Sequence, residues 1–148
     1  MPAAIATRRR FSIKTIRVPV GPPYGAIPVN TKLVCAAVPD PVSPDTASNL
    51  LIDSAGGRSI TALVKIREIG KMLGSEFAEF TQADQARSIC FVNRAAWVSV
   101  VPHPQVQGVS QIDFTNRRYL PVTGKVDDVI KRLESGSAAR SARRARGR

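Results

Sequence analysis

The chain has 148 residues, 43% of them hydrophobic, with a formal net charge of +11. That length suits one ordinary domain with a real core, or two very small ones, and the hydrophobic share is that of a folded protein. No apolar run approaches the roughly 20 residues that span a bilayer, which argues for a soluble protein; Cys35 and Cys90 are too few for a disulfide framework and lie in apolar runs, where buried reduced thiols are expected.

In chain order, residues 1–12 read as a disordered basic arm. Arg8, Arg9 and Arg10 are followed by Phe-Ser-Ile-Lys, where a secretory leader would need an apolar stretch. The first acid is Asp40, so an organellar presequence is a competing reading. Pro19, Pro22 and Pro23 limit any amphipathic helix there to a short piece, and the basic arm is preferred. Residues 13–134 read as a β-rich domain and residues 135–148 as a second disordered arm, a low-complexity basic tail. Residues 1–17 and 140–148 carry ten positive charges and no acid, leaving 12 basic and 11 acidic side chains between them. The charge therefore describes a nearly neutral domain with basic ends.

Within the domain, residues 13–38 alternate apolar and polar positions with proline and glycine breaks, as strands do. The three prolines of 39–48 mark a loop. A hairpin is expected near 49–53 and 58–64, turning at Gly56-Gly57, and then a helix over 64–73. Residues 74–88 read as a packed linker because they hold Phe77 and Phe80. Strands follow near 89–93 and 96–101, then a hairpin near 109–114 and 117–122 turning at Asn116-Arg117, then a helix over 125–134 for which Thr123 is a candidate cap.

This order contains an internal repeat, 27–73 against 90–133. At an offset of 63, Val29, Asn30, Val38, Pro39 and Pro41 match Val92, Asn93, Val101, Pro102 and Pro104. At an offset of 60, Arg58, Lys65, Lys71 and Leu73 match Arg118, Lys125, Lys131 and Leu133. The expected fold class is mainly β with two short helices (α+β), in pseudo-duplicated strand-strand-hairpin-helix halves.

Little in the sequence points to catalysis, and no catalytic residue, cofactor or metal site is expected. His103 is the single histidine, lies between two prolines, and matches Asp40 in the first half. One histidine and two separated cysteines are a poor zinc set. Gly56-Gly57-Arg58 precedes a strand and not the helix that a phosphate cradle needs. Asp127-Asp128 near a helix start is accounted for by the helix dipole. What remains is cationic. Arg8, Arg9, Arg10, Arg143, Arg144 and Arg146 in the arms suit phosphate contact. Arg87, Ser88, Arg94, Arg117, Arg118 and Lys125 gather at predicted strand ends and turns. Most aromatics fall on core positions, so stacking of single-stranded bases is not signalled.

Arg87-Ser-Ile-Cys-Phe-Val-Asn93, Tyr119-Leu-Pro-Val-Thr123 and the earlier Arg58-Ser-Ile-Thr-Ala-Leu, followed by a helical stretch and Phe77, resemble the LytTR-type DNA-binding domains of bacterial response regulators. The resemblance spans about residues 16–134. Ala86 stands where that family carries a histidine, and Gly124-Lys125 where it carries an arginine. The second half is also similar to FlbD-like small flagellar regulators, through Phe91-Val-Asn, Val-Pro-His-Pro, Ile112-Asp-Phe-Thr-Asn-Arg and Leu120-Pro-Val. The LytTR resemblance implies a mostly β domain that reads DNA with loops. By motif it assigns nucleic-acid contact to Arg87, Ser88, Asn93, Thr123 and Lys125.

The expected function is thus nucleic-acid binding, by a non-enzymatic bacterial or phage DNA-binding transcriptional regulator or accessory factor. Its partner would be DNA (or RNA) and not a membrane, and its location cytoplasmic and nucleoid-associated. A homodimer or larger homo-oligomer is compatible with this reading. The alternative is a structural or scaffolding component of a virion or nucleoprotein assembly, with basic arms laid along nucleic acid.

Overall fold

The computed structural model describes residues 14–54, 57–84, 86–115 and 117–135. The arm arginines named above, from Arg8 to Arg10 and from Arg143 to Arg146, lie outside these residues. The fold is mainly β with two helices, the α+β class expected. The strands are β1 (Thr15–Gly21), β2 (Gly25–Asn30), β3 (Val34–Pro39), β4 (Ser48–Ile52), β5 (Ser59–Ala62), β6 (Phe77–Thr81), β7 (Ile89–Asn93), β8 (Trp97–Pro102), β9 (Val109–Phe114) and β10 (Tyr119–Thr123). Helix α1 is Ile66–Leu73 and helix α2 covers residues 126–135.

The strands form three antiparallel sheets, ordered β1-β2, β5-β4-β3-β7-β6 and β10-β9-β8. Period-two patterning drives the last of them. Ser110, Ile112 and Phe114 of β9 and Leu120 and Val122 of β10 are buried on one face, with partly or fully exposed residues between them. The five-stranded sheet has cores on both faces. One core joins Cys35, Ala36, Phe80, Cys90 and Val92 to Ile112, Phe114, Leu133 and their neighbours. The other joins Val34, Ala37, Leu50 and Phe77 to Ile66, Ile69 and Leu73 of α1. Helix α1 buries its Ile66-Ile69-Leu73 stripe and ends at Gly74, whose φ of +79° suits a residue without a Cβ.

One expected element differs. The supposed linker 74–88 contains β6, paired with β7 from Phe77↔Asn93 to Thr81↔Ile89.

The two halves share more than element order. Asn30 Oδ1 accepts from Lys32 N at 3.0 Å, and Asn93 Oδ1 from Ala95 N at 2.9 Å. Ser48 Oγ donates to Val64 O at 2.7 Å, and Ser110 Oγ to Gly124 O at 2.7 Å. Asp40 N donates to Ala47 O at 3.0 Å, and His103 N to Val109 O at 2.9 Å. β3 carries a bulge between Val34 and Ala36, and β8 one between Trp97 and Ser99. The helix C-termini are also treated alike. Lys14 Nζ donates to Leu73 O at 2.9 Å, and Arg94 Nη1 to Leu133 O at 3.1 Å, so a cation meets carbonyls that have no partner within the helix.

Candidate nucleic-acid interface

The Arg87-Ser88 segment lies in the hairpin turn between β6 and β7. Asp84 shapes the turn: its backbone oxygen accepts from Arg87 N at 3.2 Å and its Oδ1 from Ser88 N at 3.3 Å, while Gln82 N donates to Ser88 O at 2.8 Å. Arg87 sits at φ +48°, a conformation non-glycine residues seldom hold, and its side chain is exposed. The turn is fastened to β10 by the Gln82↔Val122 bridge and by Ala83 N donating to Pro121 O at 3.1 Å. Thr123 Oγ1 donates to Thr81 O at 3.5 Å, so Thr123 ties β10 to β6 and does not cap α2. Lys125, exposed, begins the α2 turn, its carbonyl accepting from Val129 N at 3.0 Å. The fold thereby fastens the Arg87-Ser88 turn to Pro121 and Val122 of β10, with Thr123 beside Thr81, while Lys125 lies past Gly124, whose N donates to Gly108 O at 2.7 Å.

Beside that contact lies an open groove of about 500 Å³, lined by Phe80 and Thr81, Thr123 and Gly124, and the Lys131-Arg132 face of α2. Arg132 is held there. Its guanidinium stands 5.4 Å from the Phe80 ring centroid, and Nη1 donates to Glu79 O at 3.2 Å. Lys131 and Arg132 were not among the sequence candidates. The one signal for them was the match of Lys131 to Lys71.

Arg117 and Arg118 lie at the other end of β10. Arg117 has φ +65° and is exposed. The Arg118 side chain crosses to the β4–β5 turn, where Nη1 donates to Ser59 Oγ at 3.2 Å and Nε lies 3.2 Å from where a Gly57 Cβ would sit. Thr115 Oγ1 donates to Asp53 Oδ1 at 2.8 Å, so the two hairpin turns meet and Arg58 joins this cationic end.

Two candidates serve the fold. Asn93 is buried, and its Nδ2 donates to Val34 O at 2.9 Å and Thr31 O at 3.4 Å. Arg94 donates to Ser75 O, Arg132 O and Leu133 O, bracing the end of α2. Burial, followed by the Asp53 charge, pushes the Cys35 thiol up to about 11; burial, followed by Asp84 and Glu79, pushes Cys90 up to about 12. Both are neutral, unreactive core groups at physiological pH. Among the described residues no three or more His, Cys, Asp or Glu side chains are gathered as metal ligands, and no helix is long and apolar enough to cross a membrane.

No family model matches the chain, and no curated protein sequence does. Among solved structures it is similar to the LytTr DNA-binding domain of a protein described as a methyl-accepting/DNA response regulator from Bacillus cereus. The identity is 15%, the match covers 80% of this chain and 94% of that one, and the TM-score is 0.52. At that identity the likeness is one of fold: the chain has the architecture of a LytTR-type domain, as its Arg-Ser, Val-Asn and Leu-Pro-Val segments implied.

Proposed function

We propose that the chain binds double-stranded DNA and acts as a DNA-binding regulator or accessory factor. The observation that carries the reading is the fastening of the exposed Arg87-Ser88 turn to Pro121 and Val122 of β10, on a fold similar to a domain described as DNA-binding. In this reading Arg87 and Lys125 meet phosphates and Ser88 and Thr123 supply hydroxyls near the duplex. Arg117, Arg118 and Arg58 form a second cationic contact. The basic residues of 1–17 and 140–148 add affinity without sequence preference.

The test is fluorescence-polarisation binding of the full chain to duplex DNA and to single-stranded RNA, titrated with salt and with heparin as competitor. Duplex binding that survives heparin is expected. The Arg87→Ala/Lys125→Ala double variant is expected to lower the log–log salt slope by about 2, since each phosphate contact contributes about 0.9. An unchanged slope and affinity in that variant, or equal preference for every polyanion, would refute the interface.

A further inference from the structure

The observation concerns β8. Among the described residues it pairs with β9 alone, so it is an edge of its sheet. Val98 is 57% exposed, Val101 38%, and Val106 in the following loop 49%. From Ala95 to Ile112 there is no Lys, Arg, Asp or Glu, in a chain whose residues are 22% charged. The flanking acid, Asp113, is already partnered by Ser99 Oγ and Gln111 Nε2, each at 3.0 Å. Proteins ordinarily defend such edges with charge, proline or cover. Other edges here are defended. Pro28 interrupts β2, the end of β5 is tied to β1 by Leu63 N donating to Pro19 O at 2.8 Å, and the Gln82↔Val122 bridge covers β6 and β10. On β8 proline comes only at the end, at Pro102, leaving the strand before it open.

The repeat indicates what this edge accommodates. β3 is the counterpart of β8 in the first half and bulges at the matching place. Just past its bulge β3 takes a second antiparallel neighbour, through Ala36↔Val92 and Ala37↔Phe91. The β8 residues that match Ala36 and Ala37 are Ser99 and Val100, whose outer edge has no such neighbour among the described residues.

We infer that β8 is a self-association edge: two copies of the chain pair their β8 strands antiparallel through Ser99–Val101, about a two-fold axis, joining two three-stranded sheets into one of six strands. A two-fold axis makes paired identical strands antiparallel, the arrangement β3 already shows. Charge favours a second copy as the occupant. The net charge of +11 sits mostly in residues 1–17 and 140–148, and the uncharged 95–112 stretch lets two copies approach without opposing arginines. The same lack of cations makes this edge a poor surface for phosphate. The contact is small, with Val98, Val101 and Val106 adding apolar area, so the dimer is weak and forms as concentration rises.

Analytical ultracentrifugation of the full chain tests this, in high salt and at concentrations up to about 100 µM, well above a micromolar Kd. Wild type is expected to move from monomer to twice the monomer mass. Val98→Lys/Val101→Lys is expected to stay monomeric at every concentration, with an unchanged circular dichroism spectrum. Val42→Lys, at a residue 87% exposed in the β3–β4 loop, is expected to dimerise like wild type. A wild type that stays monomeric, a double variant that still dimerises, or a monomer that captures only foreign extended peptides overturns the inference. If the double variant misfolds, hydrogen exchange of the wild-type Ser99–Val101 amides decides: protection must grow with concentration, and constant protection overturns it.

Discussion

Asn93 holds three backbone groups of the segment where the halves join. It bonds the carbonyls of Thr31 and Val34 through Nδ2 and the amide of Ala95 through Oδ1, and is only 6% exposed. The Val-Asn pair was legible as a repeated signature. What it did not reveal is where the amide points, because its partners Thr31 and Val34 lie about 60 residues upstream and meet it only once β3 and β7 pair. Asn93→Ala leaves buried backbone groups unmet, so it should cost about 2 kcal/mol of stability by urea unfolding. Asn93→Asp should cost at least as much, since a carboxylate would face two carbonyl oxygens. DNA affinity of the folded fraction should not change. Full stability with lost DNA binding would instead return Asn93 to the interface. Arg94 teaches the same lesson: a cation at a strand end reads as a ligand contact until the helix end that it braces is seen.

Elements with one buried face were legible, and so was β7, expected near 89–93, but β6, covered on both faces, was not. β9 and β10 show clean alternation and were placed within a residue or two. In β6 the adjacent Phe77 and Ala78 both sink, Phe77 into the core with α1 and Ala78 into the core with β9 and β10. A strand covered on both faces loses its period, and Phe77-Ala-Glu-Phe-Thr reads as a packed linker. The seating of α1 depends on one such strand. A Cβ on Gly70 would lie 2.2 Å from Phe91 Cζ, so the β7 ring occupies the space that the helix leaves. Alanine normally stabilises a helix interior by about 1 kcal/mol relative to glycine. Here Gly70→Ala should destabilise by about 1–3 kcal/mol, because the ring or the helix must move. In a Phe91→Ala background the same change should become neutral or stabilising. Urea unfolding of the four proteins in this double-mutant cycle checks it, and additive effects would show that the ring does not set the helix position.

For the whole molecule, the repeat ran deeper than the matched letters, down to the Asn30/Asn93 turns, the Ser48/Ser110 bonds and the β3/β8 bulges. Sequence supplied the order of elements apart from β6. It did not supply how the halves combine, because the joining pair, β3 with β7, crosses the repeat boundary. Each core consequently draws on both halves. Cys35 and Ala36 pack among second-half residues, while Phe77, with Ile89 and Phe91 against it, packs with the first half. Fragments covering residues 14–74 and 75–135 would each expose one side of both cores, and chains of about 60 residues bury too little surface to tolerate that loss. Neither fragment alone should unfold cooperatively in urea, whereas an equimolar mixture should recover the β-rich circular dichroism spectrum and a single transition. The recovered complex should bind duplex DNA if the interface needs the Arg118–Ser59 contact between halves. A 75–135 fragment that folded alone would mean that the second core closes without Cys35 and Ala36, and that the two halves are units merely set side by side.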